Sequence, residues 1–370
     1  MNKMDPYLRM MVKHDASDLF FSPGTPLHMK VEGVISPVQK EPLAAELVEE
    51  LANSLMDDAQ RDAFNRRPEM NLGLSINELG RFRVNIYRER QDVAMVIRYL
   101  SDQIPTVEEL NLPVALNKLA MAPRGLVLVV GATGCGKSTT LASMIDYRNR
   151  NTTSHILTIE DPIEYVYRYE HSIVDQREIG TDTMSYADAL ENAMREAPDV
   201  ILIGEIRDRV TMQHAIAYAE TGHLCMASLH ASNSNHALHR ILSFFPEEMY
   251  HQIYLDLSQN LHAIVSQRLA IGVDGKRIPA VEVMLATAHI RDLILRGAID
   301  EIREAMERGH ELGMQTFDQS LFDLFKQGKV TKEEALKHAE SESNLKLMMR
   351  THKSGQARDR GHSQGDMLDQ

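Results

Sequence analysis

The stretch GATGCGKSTT, residues 131–140, decides how the rest of the chain is read. Gly131, four residues, then Gly136-Lys137-Ser138 is the spacing of a phosphate-binding loop. The context supports it: the apolar run GLVLVVG precedes the loop and a helical pattern follows. Glycines let backbone N–H groups turn inward, and the helix start adds partial positive charge. On this pattern Gly131, Thr133, Gly134, Cys135, Gly136, Lys137, Ser138 and Thr139 would line the phosphates. Lys137 would reach the β and γ oxygens, and Ser138 would ligate Mg²⁺. Cys135 either is a tolerated small residue contributing its N–H or has redox chemistry, since helix starts lower thiol pKa values.

Three more apolar runs follow at intervals: HILTIED, DVILIGE and HLCMASLH. Continuous apolar runs separated by helical stretches predict a parallel sheet buried on both faces. Ligands of such sheets bind beyond the carboxyl ends of the strands. The first run leads into Asp161 and Glu164, the second ends in Glu205 with Arg207 just after, and the third ends in His230. A nucleotide hydrolase needs one carboxylate for Mg²⁺ and another to orient water. Glu205 stands where the metal-site carboxylate is expected. Glu164 reads either as a solvated loop charge or as the residue that orients water. His223 and His230 lie seven residues apart, about 23 Å along a strand, so His230 is the better phosphate sensor and His223 lies at the far end.

Ahead of the loop, residues 1–100 read as a small α+β domain. It has a helical start, strand-like pieces at 27–36, 70–76 and 81–89, and a helix over 44–61. Arg81, Arg83, Arg88, Arg90 and Arg98 crowd its last strands, either as a solvated sheet face or as arginine fingers led by Arg83 and Arg98. Residues 101–113 carry two prolines and predict a linker. From about residue 236 to 349 the pattern reads as mostly helical, including one helix over 253–270. The tail over 350–370 lacks an apolar face and reads as disordered.

Composition limits the alternatives. The chain has 370 residues, 43% hydrophobic and 25% charged, an ordinary globular balance. A formal net charge of −13 argues against broad nucleic-acid binding. No apolar run approaches a membrane span, and the polar start does not read as a secretory signal. Two cysteines supply neither a disulfide framework nor a tetracysteine zinc site, which fits a reducing cytoplasm.

Taken in order, GATGCGKST, ILTIEDPIEY, REAPDVILIGEIRD and AETGHLCMASLHA resemble the Walker A, Asp box, Walker B and His box of the type II/type IV secretion ATPase family. Within it they resemble the pilus retraction ATPases PilT and PilU. The resemblance runs nearly the whole chain. ETGHLC, FFPEE and LGMQTFDQ look more like PilU, AHIRDLIL carries Asp292 where the PilT-type motif has Asn, and Ala132 replaces a usual Pro. The resemblance implies an α/β fold: an N-terminal α+β PAS-like domain, then a RecA-like P-loop domain over 114–349 with C-terminal helices. It implies ATP and Mg²⁺ bound between the domains, with a neighbouring subunit contributing, and six chains in a ring. Glu164 would be the catalytic base, Glu205 the Walker B acid, His223 and His230 the His box, and Arg83 and Arg98 would reach ATP. The ring would rotate one domain on the other about 101–113 and drive pilus retraction. It would sit in the cytoplasm at the inner-membrane pilus base, docked on a membrane platform protein, alone or together with a PilT-like retraction ATPase.

Overall fold

A computed structural model describes residues 3–31, 33–76, 79–100 and 103–351. Ser101 and Asp102 of the expected linker lie outside the described residues, as does nearly all of the expected tail. The chain divides into two compact units. One is Met1–Gln103 with Glu164–Val166; the other is Ile104–Ile163 with Tyr167–Gln370.

The first unit runs α1 (Asp5–Lys13), β1 (Asp18–Phe21), β2 (Pro26–Val31), β3 (Val34–Pro42), α2 (Ala45–Leu55), α3 (Asp58–Arg66), β4 (Glu69–Ile76), β5 (Gly80–Glu89) and β6 (Asp92–Leu100). Its six strands form one sheet, β3-β2-β1-β6-β5-β4, antiparallel throughout. Strand alternation sends Phe82, Val84 and Ile86 into a core with Leu8, Leu51 and Phe64 from the helices. Two expectations change in extent. The strand expected over 27–36 is a hairpin that reverses at Gly33, with Val31 paired to Val34. The helix expected over 44–61 is two helices. Asp57 breaks it, because its side chain accepts from Gln60 N while the Gln60 side chain accepts from Asp57 N, a capping box that begins a new helix.

The second unit opens with α4 (Ala115–Ala120) and β7 (Gly125–Gly131). It continues through α5 (Lys137–Asn151), β8 (His155–Glu160), β9 (Ile173–Glu178), α6 (Tyr186–Ala193), β10 (Val200–Ile203), α7 (Arg209–Glu220), β11 (Leu224–Leu229), α8 (Ser234–Leu242) and α9 (Tyr250–Asn260). Next come β12 (Leu261–Ile271), β13 (Arg277–Leu285), α10 (Ala288–Leu295), α11 (Ile302–Arg308), α12 (Phe317–Lys326) and α13 (Lys332–His338). The seven strands order as β13-β12-β7-β11-β10-β8-β9, parallel except for β13 at the edge. Every residue of β7 is buried. Leu126, Leu128 and Val130 pack on α6 to α9, while Val127 and Val129 pack on α4 and α5. Each such side chain contributes about 1.5–3 kcal/mol, which explains why these runs read as unbroken apolar sequence.

The mostly helical expectation beyond residue 236 is corrected at one place. The helix expected over 253–270 ends at Asn260, and the chain continues as β12, which pairs with β7 and forms a hairpin with β13. A slot beside β7 overrides the helical spacing, because Ala263 and Val265 face one layer and Ile264 the other. Part of the expected linker also belongs to a core: Val107 and Leu112 are buried against Leu116 and Leu119.

Candidate functional site

All strands from β12 to β9 are parallel, so the ends of β7, β8, β10 and β11 open on one sheet edge. The phosphate-loop residues follow β7 there. Gly136 caps α5 with φ of +93°, in the left-handed region that favours glycine, and no side chain caps this helix start. The Lys137 ammonium donates to Gly131 O and Ala132 O, 3.0 Å each. Lys137 is buried and forms no ion pair among the described residues. A buried cation held only by neutral carbonyls is costly without an anion. Together with an uncapped helix start, that donor set fits a polyphosphate. Ser138 and Thr139 are half-buried, and Thr133 and Gly134 are exposed.

Cys135 is buried, with its Sγ against Gly131, and burial pushes its thiol above the usual value despite the Lys137 charge. Burial thus outweighs the lowering by the helix start, the effect on which the redox reading rested.

Beside the loop, Glu205 leaves β10 and is held on both oxygens. Its Oε1 lies 2.7 Å from His230 Nε2, just past β11. Its Oε2 accepts from Arg207 Nε and Nη2, 2.7 Å each. Arg207 Nη1 reaches on to Asp161 Oδ2 at 3.4 Å, past the end of β8. The bond to Glu205 holds the guanidinium more firmly protonated. Three strand ends thus supply one cluster, with His230 and Arg207 facing solvent. A carboxylate, an imidazole and a guanidinium at a phosphate-loop edge can hold a divalent cation, sense a terminal phosphate and balance its charge.

The other expected residues are each described within their own unit. Glu164 is exposed in the loop after β8 and makes no hydrogen bond or ion pair among the described residues. His223 precedes β11 at the opposite sheet edge, where its Nδ1 lies 3.2 Å from Tyr218 O and 3.1 Å from Thr221 Oγ1. Arg83 and Arg98 sit directly opposite on β5 and β6. Arg98 Nε donates to buried Asp18 at 2.8 Å, whereas Arg83 has no acidic partner among the described residues.

One residue already placed at this edge gains a partner, and one residue escaped the sequence. Asp161 joins the cluster through Arg207. Buried Gln267 on β12 accepts from Thr140 Oγ1 at 2.7 Å, but it lay inside a stretch read as helix. In AHIRDLIL, Arg291 donates to Ser258 O, Gln259 O and Ala286 O, fastening the α9 end, while Asp292 pairs at the surface with Arg296.

Known proteins resemble this chain in sequence and fold. A family profile described as type II/IV secretion system protein matches residues 1–276. The type IV pilus ATPase PilU of Pseudomonas aeruginosa is 51% identical over 94% of this chain and 91% of its own. The type IV pilus retraction ATPase PilT of the same organism is 38% identical over 91% and 98%. A crystal structure of the pilus retraction motor PilT with bound ADP superposes with a TM-score of 0.86 at 37% identity, covering 94% of this chain and 99% of that one. The Legionella pneumophila ATPase DotB gives 0.76 at 26%, covering 90% and 94%. The chain belongs to the type II/IV secretion system protein family, in the branch that holds PilU and PilT.

Proposed function

We propose that this protein is a Mg²⁺-dependent ATP hydrolase that powers type IV pilus retraction. The observation that carries the reading is Glu205, held between His230 and Arg207 beside a phosphate loop whose buried lysine pairs with no carboxylate among the described residues. Lys137 and the loop amides would hold the phosphates, and Ser138 and Glu205 would hold Mg²⁺, directly or through water. The cation would neutralise charge developing on the transferred phosphoryl group. His230 would read the terminal phosphate, and Glu164 is proposed to orient the attacking water. Arg83, with no acidic partner among the described residues on a sheet face that already carries Arg98, is proposed to complete the site with it, within one chain or from a neighbour. Six chains are proposed to form the ring. Among the described residues no helix is long and apolar enough to cross a membrane, so docking at the pilus base would use an inner-membrane platform protein.

A second reading draws on the 51% identity to PilU: an accessory ATPase that works only with a PilT-like motor. Lys137→Ala and Glu205→Ala test the first reading, which requires both to lose ATP turnover. A strain lacking the PilT-like motor separates the two: retraction by this protein alone excludes the accessory role.

A further inference from the structure

We infer that Gln267 is a positioning residue for the phosphate loop, reaching it from β12 instead of from the loop itself. This rests on the nucleotide-site reading above. Gln267 pairs in register with Gly131 and is 4% exposed. Its strand neighbours on the same face, Ala263 and Val265, are apolar and pack in the layer with α5. An apolar side chain would fill this position without the cost of burying an amide.

Gln267 meets the loop at three points, two through its side-chain amide and one through its backbone carbonyl. Its Oε1 accepts from Thr140 Oγ1, in the first turn of α5. Its Nε2 stands 2.9 Å from where a Cβ on Gly136 would lie, and the Gln267 carbonyl stands 2.6 Å from where a Cβ on Gly131 would lie. Gln267 therefore crowds both glycines, its backbone carbonyl acting at Gly131 together with Cys135 Sγ and its side-chain amide at Gly136. It also fixes the height of the α5 start, whose N–H groups and Lys137 face the phosphates. Because the loop grips phosphate in the ground state and the transition state alike, losing this support weakens binding without slowing the bound complex.

The test uses the purified full chain, ADP titration and steady-state ATP turnover. Gln267→Leu keeps the bulk and removes the amide. It should weaken ADP binding and raise KM about tenfold, with kcat within twofold. Thr140→Val should reproduce that loss, and Thr140→Ser, which keeps the hydroxyl, should restore wild-type affinity. The Gln267→Leu/Thr140→Val double variant should be no worse than either single, because both break one contact. ADP affinity within twofold of wild type in folded Gln267→Leu overturns the proposal, as do losses that multiply. If Gln267→Leu does not fold, equal affinities for Thr140→Val and Thr140→Ser overturn it. A wild-type chain that fails to bind ADP sinks the nucleotide reading first, and this proposal with it.

Discussion

His230 Nε2 lies 2.7 Å from Glu205 Oε1, joining the exits of two adjacent parallel strands. The pair places the imidazole proposed to sense phosphate on the carboxylate proposed to hold Mg²⁺. His230→Ala frees Glu205 on one side but leaves Arg207 on the other. Turnover should fall roughly 10²-fold while the chain still binds ADP. Phosphate-release kinetics alongside an ADP titration check both halves. Unchanged turnover removes His230 from the reaction.

Arg83 and Arg98 face each other across an antiparallel pair, and among the described residues only Arg98 has a carboxylate partner. Like charges directly opposite cost stability, on the order of 0.2–1 kcal/mol. Arg83→Ala should therefore leave thermal stability equal or slightly raised while lowering ATP turnover at least tenfold. A loss of stability with full turnover would assign Arg83 to the sheet and not to the nucleotide.

The Tyr186 hydroxyl is buried with no hydrogen-bond partner among the described residues, packed on Gly204 next to the cluster. Burial and the Asp161 charge both push its ionisation up, so it stays a neutral phenol. An unsatisfied buried hydroxyl costs about 1–3 kcal/mol. Tyr186→Phe should raise the midpoint in thermal unfolding by a few degrees. A lower midpoint would show that the hydroxyl finds a partner in solution.

Burial raises the Cys225 thiol to about 12 and also raises Cys135. Below pH 9 both thiols are neutral whether the chain is folded or unfolded, so this contribution is fully present there. Between pH 9 and the raised folded values only the unfolded thiols lose protons, so stability falls as pH rises. Cys225→Ala should flatten that alkaline decline in unfolding experiments from pH 8 to 11. At pH 7.5 neither cysteine should react quickly with a thiol reagent until the chain unfolds. Rapid labelling of Cys135 would return it to the redox reading.

The site was more legible in the sequence than the C-terminal fold. The strands β7, β8, β10 and β11 are buried on both faces, so each left an apolar run, and the last three lead to a polar residue at one sheet edge. Glu205, Arg207 and His230 were found from that pattern alone. Strand β12 was missed because Leu257, Leu261, Ile264 and Val265 also fit helical spacing, and only a vacancy beside β7 decides between the two. Gln267 vanished with it: a glutamine under a phosphate loop leaves no local mark when its partner, Thr140, lies 127 residues away. Cys135 drew attention by its place in the motif, but its chemistry depends on burial, which spacing does not report.

The most direct test is Mg²⁺-dependent ATP turnover by the purified full-length chain, measured beside Lys137→Ala. The account predicts turnover in the wild type that is lost in the variant, with the variant still folded. A wild type that hydrolyses no ATP, or a Lys137→Ala chain that hydrolyses it at the wild-type rate, would contradict it.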